Sequence, residues 1–349
     1  MRATESSTAP GPGASAGAAA RPPAAREPGA GAAPGAGSPH GSWRPGGPYS
    51  LEATLGVLQR GMHDPCVRVA GASAWLAVNT GSGAASLRLE LRRDDPQQEP
   101  VVDWQAWGPG ADDAAATVPA LLGAGDDWSG FDDPGFAATL PRPAREARRR
   151  NRGIRLPSTG RVFDALVPVV LEQKVTTIEA RHAWRYLAGR FGDPAPGPVP
   201  EWLRVPPRPA QLRRVPSWDW HAARVDAHRR DTILRAAASA AGLDRLAALS
   251  CGQDPGRLLQ TVPGIGPWTA AEVLQRTHGH PDAVSVGDFH LAGFVGHALT
   301  GRRTDDAGML RLLEPWAGHR QRVVRMLYLS GIRKPSFGPR LAPLDHRSR

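Results

Sequence analysis

Two stretches of this chain combine residue types and spacings that can do chemistry. The first, residues 260–271, reads QTVPGIGPWTAA: two glycines flank one isoleucine, and Pro-Trp-Thr then opens an apolar-patterned helix. Glycine permits backbone angles with positive φ, and Pro267 is pre-set for the first turn of a helix. The backbone N–H groups at Gly264 and Gly266 are therefore expected to face outward from a helix N-terminus, where free donors and the helix dipole favour an anion. The second stretch, AVSVGDFHLAGFVGHAL, places Asp288 22 residues after Gly266, at the mouth of another helix. An aspartate there commonly serves as an N-cap, and the helix terminus favours its ionised form. The same carboxylate can stabilise positive charge developing beside it. Asp282, in the loop after Pro281, is its rival.

The other reactive side chains narrow the alternatives. Cys66 and Cys251 are the only cysteines and form no C-x-x-C pair, so they build neither a disulfide framework nor a four-cysteine zinc or iron–sulfur site. A reducing cytoplasm fits this usage. Of the 43 lysines and arginines only Lys174 and Lys334 are lysine, which leaves few amines for covalent chemistry. His182, His278, His280 and His297 share no metal-site spacing and read as surface or core histidines. A formal charge of +10 and a pI of 10.8 favour a polyanionic partner, most simply nucleic acid.

The elements that must position these residues follow from composition and period. The 349 residues suffice for two or three packed domains. Residues 1–47 are dominated by Ala, Gly, Pro and Ser and are expected to be a disordered tail; they contain no secretory apolar stretch. No run approaches the ~20 apolar residues of a spanning helix, so a soluble protein is expected. Residues 48–135 read as a small antiparallel sheet domain with one or two helices. Ser50 caps a helix carrying Leu51, Leu55 and Leu58, and the runs CVRVAG, SAWLAVN, SLRLELRR and PVVDWQAWG follow, with Leu87, Leu89 and Leu91 on one face and NTGSG as a turn. The apolar run VPALLG comes next. Seven arginines then lie between Arg142 and Arg155, as a solvated linker, a helix face or a contact to phosphates. From Arg161 the period is helical. Thr176 and Glu179 have the form of a capping box, a proline-rich loop runs from Asp193 to Pro216, a long helix is expected near Ala222 to Ala241, and Asp254-Pro255 starts another. Residues 136–330 thus form a helical domain and 331–349 a C-terminal tail.

VPGIGPWTA is similar to the helix-hairpin-helix motif of sequence-independent DNA-binding proteins, with Val262, Pro263, Gly264, Ile265, Gly266, Thr269 and Ala270 of the motif's usual residue types. Hairpin, second helix, Gly/Pro-rich loop and Asp288 together resemble the helix-hairpin-helix (HhH-GPD) superfamily of DNA glycosylases, closest to the 3-methyladenine DNA glycosylase II, or alkylbase, branch. The resemblance covers about residues 48–330 and is strongest at VLEQKVTTIEA, VPGIGPWTA and VSVGDFHL. It implies an α+β, mainly α fold, in which a small N-terminal antiparallel β-sheet domain precedes a two-lobed helical glycosylase domain with its cleft between the lobes.

The function it implies is base-excision repair: flipping an alkylated base of the 3-methyladenine or 7-methylguanine type from duplex DNA and hydrolysing its N-glycosidic bond, leaving an abasic site. Asp288 would stabilise the sugar's positive charge and orient or deprotonate water, while Gly264, Ile265, Gly266 and Thr269 would grip a phosphate. Trp268 and Tyr328 would stack the cationic base, with Glu272 where the family commonly has a pocket tyrosine. Gln173 and Lys174 would fill the gap left in the duplex. Backbone carbonyls of Gln260, Val262 and Ile265 would hold a monovalent cation, and no cofactor is otherwise required. Trp268 occupies the place of the lysine that strand-cutting members use, so no lyase activity is expected. The implied partner is damaged duplex DNA, with no membrane and no obligate protein partner, for a monomer in the cytoplasm, associated with the nucleoid. The alternatives are a non-catalytic DNA-binding or damage-sensing protein on the same scaffold, and a glycosylase for oxidised or deaminated bases.

Overall fold

Alternating apolar residues in the first third of the chain build one sheet in the computed structural model, which describes residues 37–93 and 98–333. Strands β1 (His40–Trp43), β2 (Val67–Ala70), β3 (Ser73–Thr80), β4 (Gly83–Arg92) and β5 (Val101–Trp107) pair antiparallel in the order β1-β5-β4-β3-β2. Leu76 pairs with Leu87 and Leu89 with Trp104, so the apolar sets of neighbouring strands share one face. That face is covered by the helix Leu51–Leu55, capped as expected by the Ser50 hydroxyl, and by the helix Ala111–Leu121, which contains most of the VPALLG run. On the opposite face Trp75 stacks on Trp107, and Leu203 and Val205 of the proline-rich loop pack on Ala77.

Strand β1 corrects the expected tail. Residues 1–36 lie outside the described residues, but His40–Trp43 lies within the 1–47 segment and forms the edge of the sheet against β5. An edge strand is held by its backbone, so few large side chains suffice; Trp43 adds one edge-on contact to Tyr49. Most of the C-terminal segment, 334–349, also lies outside the described residues.

Two further cores are helical. One is local in sequence: helices Val162–Leu171, Thr177–Phe191, Ala227–Ala238 and Pro267–Thr277 pack together, with Phe163, Leu166 and Leu171 fully enclosed. The other joins distant segments, because Trp128, Phe131 and the Arg142–Arg150 helix pack against helices Leu291–Thr300, Asp306–Leu313 and Arg320–Leu329. Trp128 and Phe131, placed by sequence in the 48–135 domain, therefore belong to the C-terminal core. Trp128 lies between the guanidinium groups of Arg148, at 3.9 Å, and Arg322, at 4.7 Å, and Asp126 pairs with Arg322. The arginine run is thus half structural: Ala144, Ala147 and Arg148 face inward, and Arg142, Arg149 and Arg150 face solvent.

The long helix expected over residues 222–241 is broken. Helix Ser217–Ala222 ends, Arg224 takes φ of 60°, and Asp226 caps a new helix from Ala227. An aspartate three residues ahead of a donor can restart a helix where propensity alone reads continuity. No helix among the described residues is long and apolar enough to cross a membrane.

Candidate functional site

The hairpin is assembled from its two flanking helices inward. Asp254 caps the helix Pro255–Leu259 by accepting the Arg257 N–H, and Pro267 occupies the first turn of the helix Pro267–Thr277. Between them Gly264 has φ of 98°, and a β-carbon there would sit 2.1 Å from Thr232 Oγ1, so both conformation and space demand glycine. Gly266 differs: its φ is −96° and a β-carbon there would meet nothing within 4 Å, so the interior of the protein places no demand for glycine at that position. The N–H groups of Gly264, Gly266, Trp268 and Thr269 have no hydrogen-bond acceptor among the described residues. Ile265 and Thr269, by contrast, point their side chains inward, at 5% and 2% exposure. Only their backbone can face a ligand.

Gln173 is committed to this hairpin. Its amide donates to the Gly264 carbonyl at 3.0 Å and to Thr269 Oγ1 at 2.8 Å. Lys174, the next residue, is exposed with φ of 54° at the tip of the turn. Buried Arg229 steadies that turn from beneath by donating to the carbonyl of Leu171, the last residue of its helix.

Trp268 connects the hairpin to Asp288, its indole N–H donating to Asp288 Oδ2 at 3.3 Å. Asp288 Oδ1 accepts the N–H groups of His290 and Leu291, at 2.7 and 2.8 Å, and so caps the Leu291–Thr300 helix. Asp282 is occupied elsewhere: it receives two bonds from the Arg320 guanidinium and the Arg320 N–H, which hold its carboxyl below the ordinary range against the opposing effect of burial. Of the two carboxylates, Asp288 is the one that lines the cleft.

Asp288 lines a cleft of about 370 Å³ where the two helical cores meet the segment carrying Ala53 and Val57. Glu272 and Tyr328 line it too, so three of the sequence-predicted site residues converge. Tyr328 stacks on Phe294 with ring centroids 4.3 Å apart, and partial burial with the nearby carboxylates of Asp288 and Glu272 pushes its phenol up to about 12. Burial works to raise the Glu272 carboxyl, but Arg276, the Ser285 hydroxyl and Arg60 outweigh it and hold the group below its ordinary value. Trp268 is not part of the lining; it rests half-buried against the local core. Sequence reasoning missed Gln275, Arg276, Ser285, Gln321 and Arg325, which also line the cleft. The spacing of Glu272 and Arg276 at i, i+4 was the one available signal, and the two form an ion pair.

The carbonyls proposed for a cation are partly engaged. That of Val262 accepts the Ile265 N–H at 3.0 Å, whereas those of Gln260 and Ile265 accept no hydrogen bond among the described residues. Among the histidines, His182 contacts the Ala222 carbonyl and His278 bridges Thr277 Oγ1 and the Leu246 carbonyl.

No family model and no curated protein matches the sequence. Solved structures do match the fold. A 3-methyladenine DNA glycosylase from Archaeoglobus fulgidus is 15% identical with a TM-score of 0.65, over 82% of this chain and 97% of that one. The protein MBOgg1, in complex with a low-affinity DNA ligand, is 17% identical with a TM-score of 0.62, over 84% and 95%. An 8-oxoguanine glycosylase/lyase from Clostridium acetobutylicum, in complex with double-stranded DNA, is 12% identical with a TM-score of 0.55, over 80% and 91%. The chain has the fold of the helix-hairpin-helix DNA glycosylases.

Proposed function

We propose that the protein is a monofunctional DNA glycosylase that flips an alkylated base of the 3-methyladenine or 7-methylguanine type from duplex DNA and hydrolyses its N-glycosidic bond, leaving an abasic site. The observation that carries this reading is the joining of hairpin to carboxylate: Trp268, one residue from the buried Thr269 anchor, hydrogen-bonds the Asp288 carboxylate at the cleft. A duplex held by the hairpin would thus present its sugar to a fixed negative charge.

In this reading a phosphate accepts the free N–H groups of the hairpin, and the absence of a side chain at Gly266 lets it approach closely. The carbonyls of Gln260, Val262 and Ile265 would hold a monovalent cation beside it, since two of them have both lone pairs free. Lys174 enters or flanks the gap in the duplex. The base enters the cleft and stacks on Tyr328. As the glycosidic bond breaks, positive charge grows on the sugar, and Asp288 Oδ2 stabilises it and orients water while Oδ1 remains fixed by the helix N–H groups. A base already cationic leaves without a dedicated acid. An aromatic indole at position 268 in place of an amine supports hydrolysis without strand cleavage. The protein acts as a monomer on DNA and needs no other cofactor.

The test is release of free bases from alkylated duplex DNA by the native protein and by Asp288→Asn. Native release without strand cutting is expected, with a loss of about 100-fold or more in the variant and unchanged DNA binding. Release of no base by either, with duplex binding intact, would favour a damage sensor on the same scaffold.

A further inference from the structure

Apolar side chains form about half of the cleft beside Asp288, Tyr328 is its aromatic ring, and Glu272, Gln275, Arg276 and Arg325 are among the polar groups set into it. These polar groups differ in what they have left to offer. Gln275 commits its amide N–H groups to the Ala283 carbonyl at 2.9 Å and Ser285 Oγ at 3.0 Å. Arg276 donates to the Val57 carbonyl at 3.0 Å and to the carbonyl and carboxylate of Glu272 at 2.7 and 2.8 Å. Glu272 retains acceptor capacity, because Oε1 takes only the Ser285 hydroxyl and Oε2 only the Arg276 guanidinium, leaving each oxygen a lone pair. Arg325 retains donor capacity: it donates to the Ala53 carbonyl, and no carboxylate pairs with it among the described residues.

We propose that Glu272 and Arg325 read the Watson–Crick edge of the flipped base, and that the edge they fit is guanine's. Guanine offers two adjacent N–H groups, N1–H and the 2-amino group, which match the two neighbouring oxygens of one carboxylate. Its O6 accepts from a guanidinium. Adenine presents an unprotonated N1 that a carboxylate repels. The fit requires Glu272 to be charged and Arg325 to lack a better partner. Arg276, Ser285 and Arg60 keep the Glu272 carboxyl below its ordinary value despite burial. Burial lowers the Arg325 guanidinium to about 10, so a carbonyl oxygen from the base would replace hydration that the site withholds. Guanine methylated at N7, which leaves this edge intact and carries the positive charge that lets the base depart without an acid, is the substrate class. The inference rests on the glycosylase reading and narrows it.

Duplexes carrying one 7-methylguanine, 8-oxoguanine, hypoxanthine or 3-methyladenine test it. Release of 7-methylguanine about 10-fold or more faster than 3-methyladenine is expected, and release of 8-oxoguanine in its place would overturn the N7-methyl assignment. Hypoxanthine, which lacks only the 2-amino group of the undamaged edge, should fall between. In Glu272→Gln and in Arg325→Lys the guanine-over-adenine ratio should fall about 10-fold. A ratio measured within one variant is insensitive to how much of that variant is folded. An unchanged ratio in both variants, or native preference for 3-methyladenine, overturns the inference. Binding to the same lesions in 2′-fluorinated nucleotides, which resist hydrolysis, separates the two levels. If no base leaves any duplex yet guanine lesions bind tighter and Glu272→Gln removes that preference, the pocket assignment stands and the glycosylase reading falls. If bases leave with no guanine preference, the pocket assignment falls alone. Neither release nor preference sinks both.

Discussion

Asp288 divides its two oxygens between tasks: one is fixed by two backbone N–H groups at 2.7 and 2.8 Å, and the other receives only a 3.3 Å indole bond at the cleft. A rigid carboxylate with one weakly engaged oxygen can stabilise charge without first reorganising. Gln173 and Lys174 make the opposite point, since adjacent residues in one turn have unrelated work. Gln173→Leu removes two hydrogen bonds to the hairpin and should cost about 1–3 kcal/mol of stability, measured by denaturant unfolding. Lys174→Ala should leave stability within ~0.5 kcal/mol and shorten the residence time on duplex DNA. Equal unfolding midpoints for Gln173→Leu and the native chain would contradict the assignment of Gln173 as a hairpin support.

The hairpin contains two glycines with different reasons to be glycine. At Gly264, a methyl group would need φ of 98° and would collide with Thr232, so Gly264→Ala should destabilise by more than about 2 kcal/mol. Gly266 has ordinary backbone and open space, so Gly266→Ala should unfold like the native protein. The methyl group would instead obstruct a ligand approaching the free N–H groups, and affinity for duplex DNA should fall about 10-fold, or ~1.4 kcal/mol. Titration of the two variants with a labelled duplex distinguishes these cases, and native affinity in Gly266→Ala would remove the hairpin from the interface.

The molecule depends on junctions between its three cores. At one of them Asp164, on the helix Val162–Leu171, contacts the backbone and side chain of Asn79 in β3. Burial, with a smaller contribution from Asp244, raises its pKa from 3.8 to about 6, although Arg161 and Asn79 oppose the rise. The native state therefore binds this proton more tightly than the unfolded chain, so stability decreases as pH rises from about 4 to about 6. A tenfold tighter hold on one proton is worth about 1.4 kcal/mol, so this group removes up to about 3 kcal/mol across that window. In Asp164→Asn that part of the pH dependence should vanish, which thermal melts at pH 4, 5, 6 and 7 would read. Parallel curves for variant and native protein would place the titration elsewhere.

The sequence by itself determined the local pieces. Alternation in SLRLELRR specified a strand with Leu87 and Leu89 inward, Thr176 and Glu179 form the expected capping box, and VPGIGPWTA formed a tight turn between two helices. Each depends on interactions within a few residues, and such interactions leave a periodic or positional trace in the chain. Tertiary structure decided what those pieces meet. It joined Trp128 to a core whose other half lies more than a hundred residues away, tied Gln173 to Gly264, occupied Asp282 with Arg320, and brought Arg325 to the same cleft as Glu272. Contacts of that kind are set by the packing of helices whose relative positions have no period in the sequence, so the side chains that complete the site carry no mark of it until the chain is folded.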